Sequence, residues 1–123
     1  MDDDTAQVIE LKQMVRQFSE DRNWDQFHNA KELAIGIVTE ASELLEKFRF
    51  KSEAEADGLF GNEVTAKGIR DELADVFYFA LRFAQKYDID ISRSLKEKIE
   101  QNAEKYPVDK ARGSNKKYNE FGP

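Results

Sequence analysis

An all-α fold of the four-helix-bundle type, assembled as an oligomer, is what this sequence predicts, and three observations predict it. Charged residues make up 36% and the hydrophobic set 40% of 123 residues, against 6 Gly and 2 Pro. That balance favours a helix-rich chain with one core over a β-sandwich or a disordered chain. Apolar residues recur every three or four positions in four separate stretches, which is the helical period. The third stretch is apolar around much of its circumference, and in so small a chain this predicts packing from several sides by another copy. A single domain is expected over 1–123, with residues 1–4 disordered and 107–123 a basic tail.

Residues 5–22 make the first helix. Thr5 would cap it, and Val8, Leu11, Val15 and Phe18 recur along one face, widened by Ile9 and Met14. Residues 20–31 form a polar connection that carries Trp24, Phe27 and the only histidine, His28. Trp24 is either an anchor plugging the core or one wall of a binding site. His28 alone makes neither a metal site nor a catalytic triad and reads as structural. Asn29, followed three residues on by Glu32, opens the second helix with a capping-box pattern. Leu33, Ile37, Leu44 and Phe48 carry its stripe to about Phe50.

Residues 51–63 lose the period and gain Gly58 and Gly61, so they read as a loop long enough to cover a site. The third helix runs over 64–87. Ile69, Leu73, Val76, Phe79, Ala80 and Phe83 form its broad face, with Phe77, Tyr78 and Leu81 extending the apolar character. Asp90 would cap a fourth helix that stops at Tyr106, before Pro107. Lys98 and Asn102, four apart, share a face of it. From Val108 on there is no period, and Lys105, Lys110, Arg112, Lys116 and Lys117 crowd the end of the chain.

Two acidic pairs carry the chemistry. Glu40 with Glu43, and Glu72 with Asp75, have i, i+3 spacing, which puts both members of a pair on one side of a helix. Around the axis, Glu40 falls beside Leu33, Ile37 and Leu44, and Glu72 beside Ile69, Val76, Phe79 and Phe83. Those are core-facing positions. Buried carboxylates are costly unless paired or bound to a cation, and four converging from two helices would repel one another and invite a divalent metal. Magnesium, which takes oxygen ligands and shares them with phosphates, fits such a site. Di-iron or di-manganese bundles use Glu-x-x-His, and His28 does not follow any glutamate at that spacing. Glu46 points away and reads as a solvated charge. Lys47 lies on the side of Glu40 and Glu43, as either a salt-bridge partner in the absence of metal or a phosphate contact in its presence.

Bulk charge limits the partners. A formal net charge of −6 argues against duplex nucleic acid, while the basic tail would suit one small polyphosphate. With no cysteine, disulfides and thiolate metal sites drop out, and a reducing, cytoplasmic setting is expected. No apolar run approaches the roughly 18 residues of a membrane span, and the acidic start, Met1 to Asp4, is unlike a signal peptide.

In Glu40-x-x-Glu43 followed by Glu72-x-x-Asp75 the chain resembles the MazG-type nucleoside triphosphate pyrophosphohydrolases. It is most similar to the dCTP pyrophosphatase branch, through Arg22-Asn23-Trp24-Asp25-Gln26-Phe27-His28, Glu40 to Phe50, Asp71 to Val76, Lys105-Tyr106-Pro107-Val108, Arg112-Gly113-Ser114 and Lys117-Tyr118. The likeness runs from about residue 8 to 118. It implies Mg²⁺-dependent hydrolysis of a (deoxy)nucleoside triphosphate, dCTP or a modified dCTP, to monophosphate and pyrophosphate. One or more ions per site, with Mn²⁺ as a substitute, and an oligomer, a tetramer before a dimer, are implied as well. It also implies Glu40, Glu43, Glu72 and Asp75 as metal ligands, with Glu40 or Glu43 acting on the attacking water. Trp24, Phe50 and Phe79 would face the base, and Lys98, Asn102, Arg112, Lys117 and Tyr118 would contact the nucleotide. The chain departs from the branch where Phe50 replaces a tryptophan, Phe79 a tyrosine and Val15 a histidine, so hydrogen-bond partners of the base are missing. The same reaction on another triphosphate, such as a non-standard purine or phosphoribosyl-ATP-like one, or a non-catalytic helical module binding a structural cation, are the competing readings.

Overall fold

The structure is a computed structural model and describes residues 1–122. Those residues contain six α-helices and no strand: α1 (Val8–Asp21), α2 (Ala30–Glu46), α3 (Glu53–Gly58), α4 (Glu63–Lys86), α5 (Ile91–Lys105) and α6 (Val108–Ala111). None of the helices is long and apolar enough to cross a membrane. The chain divides into two compact units, Met1–Ile89 and a second from Asp90 onward.

In the first unit the helix ends follow their caps. Asp2 folds Thr5 back into a turn, its carboxylate accepting from the Thr5 amide at 3.2 Å. Thr5 is therefore not the cap expected for α1, which starts after Gln7, whose amide donates to Glu10 Oε1 at 2.9 Å. Asn29 does cap α2, accepting from the Glu32 amide at 2.9 Å. That helix stops at Glu46 rather than near Phe50. Phe50 has φ +62°, a left-handed conformation that no continuing helix contains.

The expected loop over 51–63 holds α3. Ser52 and Glu55 close a reciprocal capping box at 3.1 Å in each direction. A 3₁₀ turn, Leu59–Gly61, follows, and Asn62 then caps α4 through the Val64 amide at 2.9 Å.

The long α4 (24 residues) packs against both α1 and α2. Leu33, Ala66, Ile69, Leu81 and Ala84 are its buried apolar contacts, with Ser19 and Arg82 as buried polar ones. Leu73 and Phe77, read as part of a helix enclosed on several sides, are more than half exposed, as are Val38 and Leu45 on α2. Within this unit α4 packs chiefly on α1 and α2, with the Leu59–Gly61 turn against it as well, and those residues keep their faces to solvent.

In the second unit Asp90 caps α5 through the Arg93 amide at 3.0 Å, and the helix ends at Lys105 ahead of Tyr106 and Pro107. The tail is more structured than its lack of periodicity suggests. Pro107 leads into α6, and Tyr118–Glu120 form a 3₁₀ turn. Tyr106 meets Tyr118 and Phe121 edge-on at 6.1 and 5.9 Å, and the Lys105 ammonium lies 5.0 Å from the Tyr118 ring centre.

Candidate metal centre

Where α2 and α4 pack, Glu40, Glu43 and Glu72 come together, each offering a carboxylate oxygen within 4.8 Å of the others. The helix phase that places Leu33 and Ile69 in the core brings the side chains one or two turns further along the same stripes to face each other. Glu40 and Glu72 are half-buried and Glu43 is exposed, so the cluster opens on one side. Asp75, one turn beyond Glu72, lies outside the group that meets within 4.8 Å and is exposed. Its charge nevertheless reaches Glu40.

Glu40 Oε2 and Glu72 Oε2 are fully buried and have no hydrogen-bond partner. Orphaned buried carboxylate oxygens are rare because the desolvation cost is left uncompensated. Burial first, then the neighbouring Glu43 carboxyl, then the charges of Asp75 and Glu72, push the Glu40 carboxyl up to about 7. Glu72 is also raised, first by burial and then by Glu43, against a lowering by Glu40 and then by the Lys47 charge. An all-oxygen set with unspent lone pairs and mutual repulsion fits a hard divalent cation such as Mg²⁺, which relieves both costs. The metal itself is inferred from this chemistry.

The aromatic candidates of the first unit form a run. Trp24, 40% exposed, meets Phe18 edge-on at 5.6 Å; Phe18 meets Tyr78 at 5.8 Å, and Tyr78 meets Phe79 at 5.1 Å. Ser19 donates to the Val15 carbonyl at 2.7 Å, so the Tyr78 hydroxyl donates to Ser19 Oγ at 2.6 Å and is spent there. Phe50 stands apart from that run. It is 90% exposed, and the Arg49 guanidinium lies 4.6 Å from its ring centre. Lys98 and Asn102 lie one turn apart on the exposed α5, and Arg112, Lys117 and Tyr118 lie in the tail of the second unit.

Reading by pattern missed Arg82. On α4 it is 1% exposed, donates through Nε to His28 Nδ1 at 3.0 Å, and pairs with Asp25 at 2.6 Å. Lys86 reaches the same carboxylate at 3.2 Å. His28 is thus structural, accepting through Nδ1. Burial first, then the Arg82 and Lys86 charges, holds its pKa below the ordinary value. The available signal was Arg82 itself, a charge one residue after Leu81 in an otherwise apolar run.

Against known proteins, the MazG-like family model matches residues 35–121. The chain is 31% identical to dCTP pyrophosphatase 1 of Rattus norvegicus over 112 residues, 91% of this chain and 66% of that protein. It is 28% identical to dCTP pyrophosphatase 1 of Homo sapiens over the same length. It therefore spans about two thirds (66%) of the length of these curated relatives. The crystal structure of a pyrophosphatase from Archaeoglobus fulgidus is similar with a TM-score of 0.74 at 33% identity, covering 80% of this chain and 90% of that one.

Proposed function

We propose that this chain, which belongs to the MazG-like family, is a Mg²⁺-dependent pyrophosphohydrolase that converts a (deoxy)nucleoside triphosphate to its monophosphate and pyrophosphate. The observation that carries the reading is the pair of orphaned buried oxygens on Glu40 and Glu72, meeting Glu43 across α2 and α4. In a surface cluster of solvated acids those oxygens would face water. Glu40, Glu43 and Glu72 are the proposed metal ligands, with Asp75, one turn on, as the fourth. A bound Mg²⁺ supplies neutralisation of the polyphosphate and polarisation of its phosphorus.

The chain's own residues do the rest. Glu40 or Glu43 orients a water and accepts its proton as its oxygen bonds to the α-phosphorus. The bond from the α-phosphorus to the bridging oxygen breaks, and its electron pair leaves with pyrophosphate. Trp24 and Phe79, at the two ends of the aromatic run, and Phe50 are proposed to face the base. Lys98, Asn102, Arg112, Lys117 and Tyr118 are proposed nucleotide contacts by correspondence with the family. The exposed apolar residues Val38, Leu45, Leu73 and Phe77 support assembly into an oligomer, and the likeness to the family puts a tetramer before a dimer.

The substrate is dCTP or a modified dCTP in this reading, on the likeness to the dCTP pyrophosphatases. One observation favours a broader choice of base. Phe79 has no hydroxyl, and the neighbouring Tyr78 hydroxyl is engaged by Ser19, so the Phe79 end of the aromatic run offers stacking without a hydrogen bond to read the base, and Trp24 is left as the run's one side chain with an N–H to offer. Purified protein incubated with dCTP, the other dNTPs and ITP, each with Mg²⁺ or with EDTA, tests both points. Mg²⁺-dependent pyrophosphate release is expected, highest with dCTP, whereas similar rates across the dNTPs and ITP would favour the broader choice of base. Binding of Mg²⁺ with no release from any triphosphate would make the chain a non-catalytic cation-binding module.

A further inference from the structure

Lys47 continues the stripe of Glu40 and Glu43 by one more turn of α2. Its ammonium lies over Gly68 of α4, 3.3 Å from where a Cβ on that residue would stand. Gly68 is one turn before Glu72 on the same face of α4. The ammonium thus occupies a notch that a side chain would fill, directly beside the carboxylate cluster. Among the described residues no carboxylate comes within 4.0 Å of it. Of the two roles open to Lys47, closing a salt bridge to the cluster is therefore not the one the structure adopts.

What the ammonium does face is a cavity of about 390 Å³ between the end of α2, the Leu59 turn and the start of α4, with Lys47, Lys51, Thr65 and Gly68 on its wall. The one acid on that wall, Glu46, is held by Arg49 at 3.1 Å. The Thr65 hydroxyl gives its proton to the Leu59 carbonyl at 2.5 Å. The side-chain donors that the wall offers an anion are consequently two ammonium groups. A half-buried ammonium with no carboxylate of the described residues within 4.0 Å keeps its N–H donors free for an anionic ligand in that cavity.

We infer that Lys47, with Lys51 on the same wall, forms a subsite for the pyrophosphate end of the triphosphate, beside the carboxylates of α2 and α4. This rests on the reading of the site as a triphosphate pyrophosphohydrolase and adds to it where the leaving group is held. The cavity flanks the carboxylate cluster at the end of α2. A triphosphate whose α-phosphorus is at the carboxylates has its β and γ groups within reach of Lys47, and the negative charge that builds on the departing oxygens meets a fixed positive one.

Calorimetric titration of the full chain with inorganic pyrophosphate in Mg²⁺ tests it, on the wild type, Lys47→Met, Lys47→Arg and Lys51→Met. Methionine keeps the packing of the stem, and the thermal shift caused by Mg²⁺ alone reports whether the carboxylates are undisturbed. We expect pyrophosphate affinity to fall about tenfold or more in Lys47→Met, less in Lys51→Met, and to recover in Lys47→Arg, with the Mg²⁺ shift retained. Wild-type pyrophosphate affinity in Lys47→Met, or no pyrophosphate binding by the wild type, would overturn the subsite. The two readings fail separately. A wild type that binds pyrophosphate through Lys47 but hydrolyses no triphosphate overturns the activity, whereas an active enzyme indifferent to Lys47 overturns only the subsite.

Discussion

Phe79 covers Gly36. A Cβ on residue 36 of α2 would stand 2.5 Å from Phe79 Cδ1 and within 2.8 Å of two further ring carbons. Replacing a helical glycine with alanine ordinarily gains about 1 kcal/mol, but forcing a methyl into a rigid ring costs roughly 1–3 kcal/mol. Here the clash wins. Gly36→Ala should lower stability by up to about 2 kcal/mol, seen as a lower urea midpoint with an unchanged slope. Gly68→Ala meets only the flexible end of Lys47 and should hold or raise stability.

The Glu40 carboxyl, moved from its ordinary 4.5 to about 7 chiefly by burial, makes the metal-free protein sensitive to pH. Its folded-state pKa lies above the unfolded one, so between those values the folded chain holds the extra proton. Glu40 therefore costs stability progressively as pH rises toward 7, and least below 4.5. In EDTA, the stability of Glu40→Gln relative to wild type should grow from about pH 5 to pH 8, measured by urea unfolding. A difference that does not change with pH would contradict the burial of Glu40.

Metal binding should reverse that penalty. Mg²⁺ is expected to raise the melting temperature of the wild type, more at pH 8 than at pH 6, because a proton on Glu40 competes with the ion. At about 100 times the dissociation constant the gain is roughly 2.7 kcal/mol. Glu40→Gln and Glu72→Gln should lose the shift. Glu43→Gln and Asp75→Asn should fold and lose turnover, and a near-normal rate in either would remove that residue from the site.

Arg82 ties the segment carrying Trp24 to α4 through Asp25 and His28. Arg82→Met would bury an apolar end against polar partners and should cost about 3 kcal/mol. Because Trp24 is the only tryptophan, its fluorescence reports the same segment. A red-shifted emission from folded Arg82→Met is expected, and an unchanged spectrum would mean that Phe18 alone seats the ring.

The long helices were legible, and so were two of their caps, because Asn29 and Asp90 stand immediately before periodic stretches. So was the inward turn of Glu40 and Glu72, which shares a phase with Leu33 and Ile69. Thr5 is bound into a turn with Asp2 instead of capping α1, and Asn62 caps α4 from within the stretch read as a loop. The helix α3 was hidden because it is too short to show a period, although Ser52-x-x-Glu55 spells its cap. The end of α2 at Glu46 was hidden too, because the turn over 47–50 that follows it has no Gly or Pro and closes on a left-handed Phe50, a conformation of which an aromatic side chain gives no sign. Nor does periodicity find Arg82, whose burial is permitted by Asp25 and His28 from another segment.

Hydrolysis in H₂¹⁸O tests the central claim most directly. With Mg²⁺ and dCTP, or whichever triphosphate reacts fastest, one ¹⁸O should appear in the nucleoside monophosphate and none in pyrophosphate, and EDTA should stop both products. Label in the pyrophosphate, or release of diphosphate and phosphate instead, would put the attack on another phosphorus and contradict the placement of the water at Glu40 and Glu43.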